Sequence, residues 1–546
     1  MSVFQKVDFY SDSIEVLVVG GGPVGLSTAM ELGLRGIKVV IVEPRKEVSH
    51  LRPRAKTTNA RSMEHFRRLG IAKDIRAAAA LKPKWSQEVS FCTSLLGKET
   101  VRFDDAWAVS SMPNELYSEG GQSIPQFTLE EVLREKINAS ENIRFATGWE
   151  LVSLTQDDHK VIAELKSETG ETVTVESLFL IGCDGARSNV RRSIGFVYEG
   201  DVETRNNFNV VFKAPGLAEQ VKHDRAIQYW VVNDVAPGLM GRLDLDETWW
   251  MMIIGVEQED GEANPKKYIH GMIGEEVEVE VLATDAWSSR MLLANHYRNK
   301  RVFLAGDAAH LNPPWGGLGF NTGLGDAVDI AWKLAAFLRG WGGEELLDSY
   351  EEERRPISER VIKTATHNMK TLSSDLAKFE TNAKDELESH KQLADHIYKT
   401  KEMEFHSLGL VLGYQYDQSS IIVEDVVEWP EESIINYVPT SRPGARLPHT
   451  WLGEDHSIFD QLGPYFTLLR LNSSLDIHAF EKAAAARNIP VKVVTLEQQS
   501  LLEKYEKPLI LVRPDQHVAW RGERLSSSEA AKILNIVCGL KEKSKI

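Results

Sequence analysis

Cysteine is scarce. The 546 residues contain three, Cys92, Cys183 and Cys538, far apart and without a CxxC pair. That excludes a disulfide-stapled chain and suits a reducing compartment. Positive charge is also in deficit: 63 Lys and Arg face 80 Asp and Glu, for a formal net charge of −17. Nucleic acid is therefore not the expected partner, since phosphate binding needs a basic surface. Long apolar runs are missing. The stretch 249–254 is typical of the longest, and a membrane span needs about 20 residues. The first thirteen residues are polar and acidic, unlike a secretory leader. A cytoplasmic protein with no membrane partner is expected. No HExxH or paired CxxC spacing occurs among the fifteen histidines, so no metal is expected. No GxSxG nucleophile elbow occurs either.

What is present is ordinary globular composition, 42% hydrophobic and 26% charged, with ample material for a core. The length suggests roughly three structural units. The apolar run 16–19 reads as a buried parallel strand. Gly20-x-Gly22-x-x-Gly25 follows, then a helix pattern over 26–35 and a second strand over 38–42 ending at Glu43. Gly20 permits a tight turn, Gly22 lets a pyrophosphate approach the backbone, and Gly25 allows close helix–strand packing. The helix N-terminus offers free N–H groups and partial positive charge to phosphates. Glu43 lies 18 residues after Gly25, near the spacing of a carboxylate on the adenosine ribose. Together these indicate a dinucleotide site.

Further along, the character changes. Segments 226–232 and 248–254 are rich in Trp, Tyr, Val and Ile and read as strands of a separate sheet. Another buried strand covers 301–305, and 321–338 has a strong helix pattern. The stretch 350–405 is charged and helical. Turn chemistry over 430–443 marks a linker, and the last hundred residues alternate strands with helices.

Two more motifs sit at strand ends. Cys183-Asp184-Gly185-Ala186-Arg187-Ser188 follows the strand 178–181. Gly306-Asp307 follows 302–305, and Pro313-Pro314-Trp315-Gly316-Gly317-Leu318-Gly319-Phe320-Asn321 then opens the helix. With these three motifs in order, the chain resembles the flavin-dependent aromatic hydroxylases (class A monooxygenases), the family of para-hydroxybenzoate hydroxylase and phenol hydroxylase. The resemblance covers nearly the whole chain. It implies an α/β fold: a Rossmann-type FAD-binding domain (1–186 and 289–429) interleaved with a mainly β substrate domain (187–288). A thioredoxin-like α/β domain (430–546), without CxxC, completes the chain and favours the phenol hydroxylase branch.

The resemblance also implies roles. Asp307 would bind the ribityl chain of FAD; a carboxylate suits polyol hydroxyls because it is acceptor-only. Gly316, Gly317, Leu318, Gly319, Phe320 and Asn321 would wrap the flavin pyrimidine. Asp184 and Arg187 match a motif shared by FAD and nicotinamide binding. Arg54 matches an arginine near the FAD phosphates, and Gln126 a glutamine on the ribityl side. NADPH or NADH would be a transient reductant and O2 a co-substrate. The implied reaction is hydroxylation of a phenolic or other electron-rich aromatic compound through a flavin C4a-hydroperoxide. Epoxidation, Baeyer–Villiger chemistry or a non-catalytic flavin protein remain open.

The implied partner is a small aromatic substrate, and a homodimer is left open. Lys56 stands where phenol hydroxylase-like members carry an aspartate; it would bind an acidic substrate or a phenolate, against the alternative of a solvated lysine. Tyr229 and Arg242 in the middle sheet, with Pro314 and Trp315 beside the flavin loop, are the other substrate-side candidates. Leu318 and Phe320 replace residues that are often glutamine and methionine, which suggests a less polar flavin edge.

Overall fold

The computed structural model describes residues 13–375 and 385–540. Most of the acidic leader and part of the 350–405 stretch lie outside the described residues. The described residues form two eight-stranded sheets and one four-stranded sheet, beside two-stranded pairs. The strand Ile14–Val19 lies at the centre of the first sheet because it is apolar at every position but Glu15 and can be covered on both faces. The order runs Arg298–Asn299, Val302–Leu304, Thr172–Gly182, Ile14–Val19, Val39–Glu43, Ile143–Thr147, and the hairpin strands Trp149–Gln156 and Val161–Ser167 extend from Thr172–Gly182. The helix Pro23–Leu34 packs between Gly319–Leu338 and Gln126–Asn138.

The second sheet has eight strands, in the order His310–Leu311, Glu280–Ala294, Tyr198–Lys213, Thr248–Ile254, Gly238–Arg242, Gln228–Val231, Val89–Cys92, Glu99–Phe103. It exceeds the expected 187–288 span. Val89–Cys92 docks parallel to Gln228–Val231, a long-range pairing that no local pattern announces. Side chains alternate across a strand, so the sheet has two distinct apolar faces. One carries Tyr229, Met240, Trp249 and Met251 against the helix Pro265–Ile273. The other carries Trp230, Trp250 and Met252 against Trp315, Ile397 and Phe405.

Among the described residues, the charged stretch forms the helices Glu344–Asp375 and Glu386–Phe405. The C-terminal unit has a four-stranded sheet, Val491–Thr495, Phe466–Arg470, Leu509–Val512, Val518–Gly522, with one parallel and two antiparallel pairings. The helix Ser527–Val537 begins with a capping box from Ser526 and Glu529.

This unit is joined to the first by buried charge. The Arg513 guanidinium meets both Glu353 oxygens at 2.5 and 2.7 Å, Asp515 at 2.6 Å and Asp329 at 3.2 Å. Lys333 bridges Asp329 at 2.8 Å and Glu353 at 2.6 Å. Burial alone would raise Glu353, but Arg513 and Lys333 hold it well below the usual carboxylate range. Removing one member leaves the others uncompensated, which costs about 3–5 kcal/mol. Arg513→Met should therefore lose about that much stability in urea unfolding; a loss under about 1 kcal/mol would show that the network is dispensable.

Candidate active site

The glycine loop is built by close approach. Gly20 has φ +111°, and a Cβ there would sit 2.3 Å from the Cys183 carbonyl oxygen. On Gly25 it would sit 1.9 Å from the Gly20 oxygen, whereas on Gly22 it would meet nothing within 4 Å. Two glycines are therefore needed for packing and the third opens onto free space. Gly22 caps the helix Pro23–Leu34 without a side-chain bond, and Pro23 occupies its first turn. The remaining first-turn N–H groups are left for a ligand. Glu43 closes the loop edge: one oxygen accepts the Gly21 N–H at 2.7 Å and the other accepts Arg45 Nε at 2.6 Å.

The two strand-end motifs converge on this loop. Asp184 accepts the N–H groups of Asn189 at 2.7 Å and Val190 at 3.1 Å, and its other oxygen is buried without a partner. Burial raises its carboxyl above the ordinary range. Arg187 lies exposed nearby. Asp307 is solvent-accessible but crowded by protein; the crowding raises it, against the opposing charges of His310 and Arg54. Its carboxylate makes no hydrogen bond among the described residues. Arg54 is exposed and left-handed at φ +45°. Gln126 starts the helix Gln126–Asn138; its backbone N–H binds the Ala55 carbonyl at 2.8 Å, and its side chain donates to Glu130 at 2.7 Å.

These observations fit a dinucleotide with a polyol linker. Open space lies over Gly22, unspent N–H donors face it, and Asp307 and Asp184 keep free acceptor capacity. FAD has both the pyrophosphate and the ribityl hydroxyls that such a set would bind.

The loop 313–321 turns sharply into the helix Gly319–Leu338. Gly316 and Gly317 have φ +91° and +64°, which side chains with a Cβ adopt poorly. Asn321 is an internal staple. Its amide donates to the Thr57 carbonyl at 3.0 Å and the Gly317 carbonyl at 2.7 Å, and its oxygen accepts Asn59 N–H at 3.0 Å and Ser62 Oγ at 2.7 Å. Leu318 packs on Val361, Ala365 and Leu410, while Phe320 is half-buried against the Rossmann core. Pro314 is exposed and Trp315 is buried among the sheet-face aromatics.

On the substrate side, Lys56 is half-buried. Its Nζ stands 3.6 Å from the Trp250 ring centre and donates to the Arg54 carbonyl at 3.0 Å. It lines a small pocket with Trp107, Ile227, Arg242 and Trp250. Burial pushes its ammonium down to about 7. Arg242 borders that pocket, but its guanidinium is occupied by the carbonyls of Asp244 at 3.0 Å and Asp246 at 2.8 Å. Tyr229 is a correction. Its ring belongs to the opposite sheet face, and its hydroxyl accepts the Ala226 N–H at 3.0 Å. The period-two alternation puts Trp230 and Trp250 at the pocket side instead. A second cavity of about 470 Å³ shares Thr57 and Trp107 with the first pocket and reaches Gly316 and Leu318.

Residues 13–365 match the sequence family described as FAD binding domain, and residues 440–539 match the family described as aromatic-ring hydroxylase, C-terminal. The chain belongs to the FAD-dependent aromatic-ring hydroxylases. Among curated relatives of this family, the FAD-dependent monooxygenase apdD of Emericella nidulans is 31% identical over 94% of this chain and 88% of its own length. The 2,4-dichlorophenol 6-monooxygenase of Delftia acidovorans is 30% identical over 93% of this chain and 95% of its own. Among solved structures, RebC with bound 7-carboxy-K252c superposes with a TM-score of 0.88 at 32% identity, covering 97% of this chain and 99% of that one.

For this hydroxylase, the open space at Gly22 gives a clean test. Gly22 has φ −77°, which alanine adopts without strain. Gly22→Ala should leave the melting temperature of the flavin-free chain unchanged and weaken FAD binding at least about tenfold. An unchanged FAD affinity would remove Gly22 from the binding surface.

Proposed function

We propose that the chain hydroxylates a phenolic or other electron-rich aromatic compound, using NADH or NADPH and O2. The observation that carries this reading is the placement of Lys56 over Trp250, in a pocket that adjoins the cavity at the flavin loop. A bound FAD supplies electron transfer from the nicotinamide and activation of O2. In this reading Gly20, Gly22 and Gly25 with the first turn of Pro23–Leu34 hold the pyrophosphate. Asp307 and Gln126 flank the ribityl chain, and Arg54 stands by the phosphates. Residues 316–321 cradle the pyrimidine ring at the positive end of a helix.

The protein's remaining work is to orient the ring, exclude water and manage one proton. Trp230, Trp250, Trp315 and Phe405 make an apolar wall, which keeps water from diverting the oxygen transfer. Lys56 accepts the substrate hydroxyl proton at Nζ and, once protonated, stabilises the phenolate. Its lowered affinity for a proton matches a general base operating near neutrality. Trp250 supports the ammonium form through its ring face. One relative is named for 2,4-dichlorophenol, and RebC is solved with bound 7-carboxy-K252c. The about 470 Å³ cavity supports a substrate larger than a single ring.

The test is NADH and NADPH oxidation by the purified flavoprotein against phenols, aromatic acids and polycyclic phenols, with mass detection of the product. A ligand that accelerates oxidation and gains one oxygen atom is the expected result. No flavin reduction with any ligand or either nicotinamide would contradict a monooxygenase and favour a non-catalytic flavin protein. With the active ligand, kcat/KM should rise as pH increases through about 7, because the base must be neutral. Lys56→Met should remove that limb and lower kcat/KM at least about 100-fold; an unaltered pH profile would exclude Lys56 as the base.

A further inference from the structure

The pocket at Lys56 is too small for the ring it is proposed to serve. Its volume is about 10 Å³, room for roughly one water molecule, whereas a cavity that takes up benzene measures about 150 Å³. The neighbouring cavity, at about 470 Å³, has the room, but Lys56 does not line it. Of the described residues that line them, the two spaces share only Thr57 and Trp107. Thr57 is fixed: its strand pairs with Gln122–Ser123, and its carbonyl accepts the Asn321 amide at 3.0 Å. Trp107 is the other half of the partition.

The backbone at Trp107 is strained. Asp105, Trp107 and Ala108 have φ of +50°, +55° and +52°, a region that bulky side chains rarely occupy. The flanks impose it: the Ala106 N–H binds the Gln87 carbonyl at 2.9 Å, and the Ala108 carbonyl accepts the Gly121 N–H at 2.7 Å. A glycine opposite makes room, since a Cβ on Gly121 would sit 2.9 Å from the Trp107 carbonyl oxygen. The ring itself is less tied. Its N–H is buried with no hydrogen-bond partner, and it meets Phe405 edge-on, ring centres 5.4 Å apart. Turning the indole therefore breaks no hydrogen bond of its own. Backbone held in sparsely populated regions clusters at ligand clamps and switch segments, and this one sits between the two spaces.

We propose that Trp107 is a specificity-determining residue of this site: its indole is a movable partition that turns aside so that an aromatic ring held in the large cavity brings its hydroxyl to Lys56. A single ring needs a small displacement of the indole. A two- or three-ring phenol needs a larger one, so the bulk at position 107 sets which phenols react. The inference rests on the reading of Lys56 as the base for a phenolic substrate.

The test is turnover of phenol, 2-naphthol and 2-hydroxyanthracene by the full-length holoenzyme. The variants are Trp107→Phe, Trp107→Ala and, as a control for the reading itself, Lys56→Met. Trp107→Ala should raise kcat/KM for the two larger phenols relative to phenol at least about tenfold, with Trp107→Phe between it and the wild type. A purely structural role would change all three phenols alike, and that result overturns the proposal. Unchanged preference in Trp107→Ala with activity lost in Lys56→Met overturns the proposal and leaves the reading of Lys56 standing. Activity retained in Lys56→Met overturns that reading and the proposal with it. A second measurement follows the indole directly and decides the matter should Trp107→Ala fail to fold. In wild-type holoenzyme carrying 5-fluorotryptophan, with the Trp107 fluorine resonance assigned by its loss in Trp107→Phe, saturating 2-naphthol should shift that resonance. A flavin spectrum that responds to 2-naphthol while the resonance stays in place overturns the proposal.

Discussion

Buried carboxylates on and beside one helix tie the three units together. Gly319–Leu338 presents Asp326 and Asp329 to the interior, and each is matched from a different element. Asp326 accepts the Gly306 N–H at 3.1 Å, His310 Nε2 at 2.8 Å and Arg354 Nε at 2.9 Å. Through those bonds it fixes the turn that carries Asp307. Asp329 shares Lys333 and Arg513 with Glu353, and Arg513 belongs to the C-terminal unit. The N-terminus of this helix continues the loop 313–321. A charge lattice that fixes the helix therefore also fixes two walls of the proposed cofactor cleft. Such a lattice is costly to desolvate but intolerant of partial loss, which suits a joint that must hold one geometry.

The second constraint is the alternation of the middle sheet. Gln228–Val231 and Thr248–Ile254 each supply an aromatic residue to both faces, but only one face meets the loop 313–321. Trp249 and Tyr229 pack outward with the helix Pro265–Ile273, while Trp250 and Trp230 face Trp315 and Phe405. Lys56 reaches this second face from the segment before Thr57, and burial there lowers its hold on a proton. The chemistry proposed for Lys56 therefore depends on a register. A shift of one residue in Thr248–Ile254 would exchange Trp250 for Trp249.

Much of this was legible in the sequence because it is local. A continuous apolar run, three glycines at fixed spacing and an acid at the next strand end specify the first βαβ element, and the strand-end positions of Asp184 and Asp307 follow from their flanking runs. Long-range pairing was not legible. The strand Val89–Cys92 joins the second sheet far from its own neighbours, and Tyr229 could not be assigned a face without that register. Asn321 was expected at the flavin, and the structure shows its side chain holding the loop and Thr57 together.

The central claim is that the Trp250–Lys56 face and the flavin loop enclose one reaction site. A crystal structure of the holoenzyme with FAD and a turned-over phenol tests it most directly. The expected result places the flavin ring against residues 316–321 and the substrate ring on the Trp230–Trp250 face, its hydroxyl within hydrogen-bond distance of Lys56 Nζ. A substrate ring seated away from that face, with Lys56 remote from every substrate oxygen, would contradict the account.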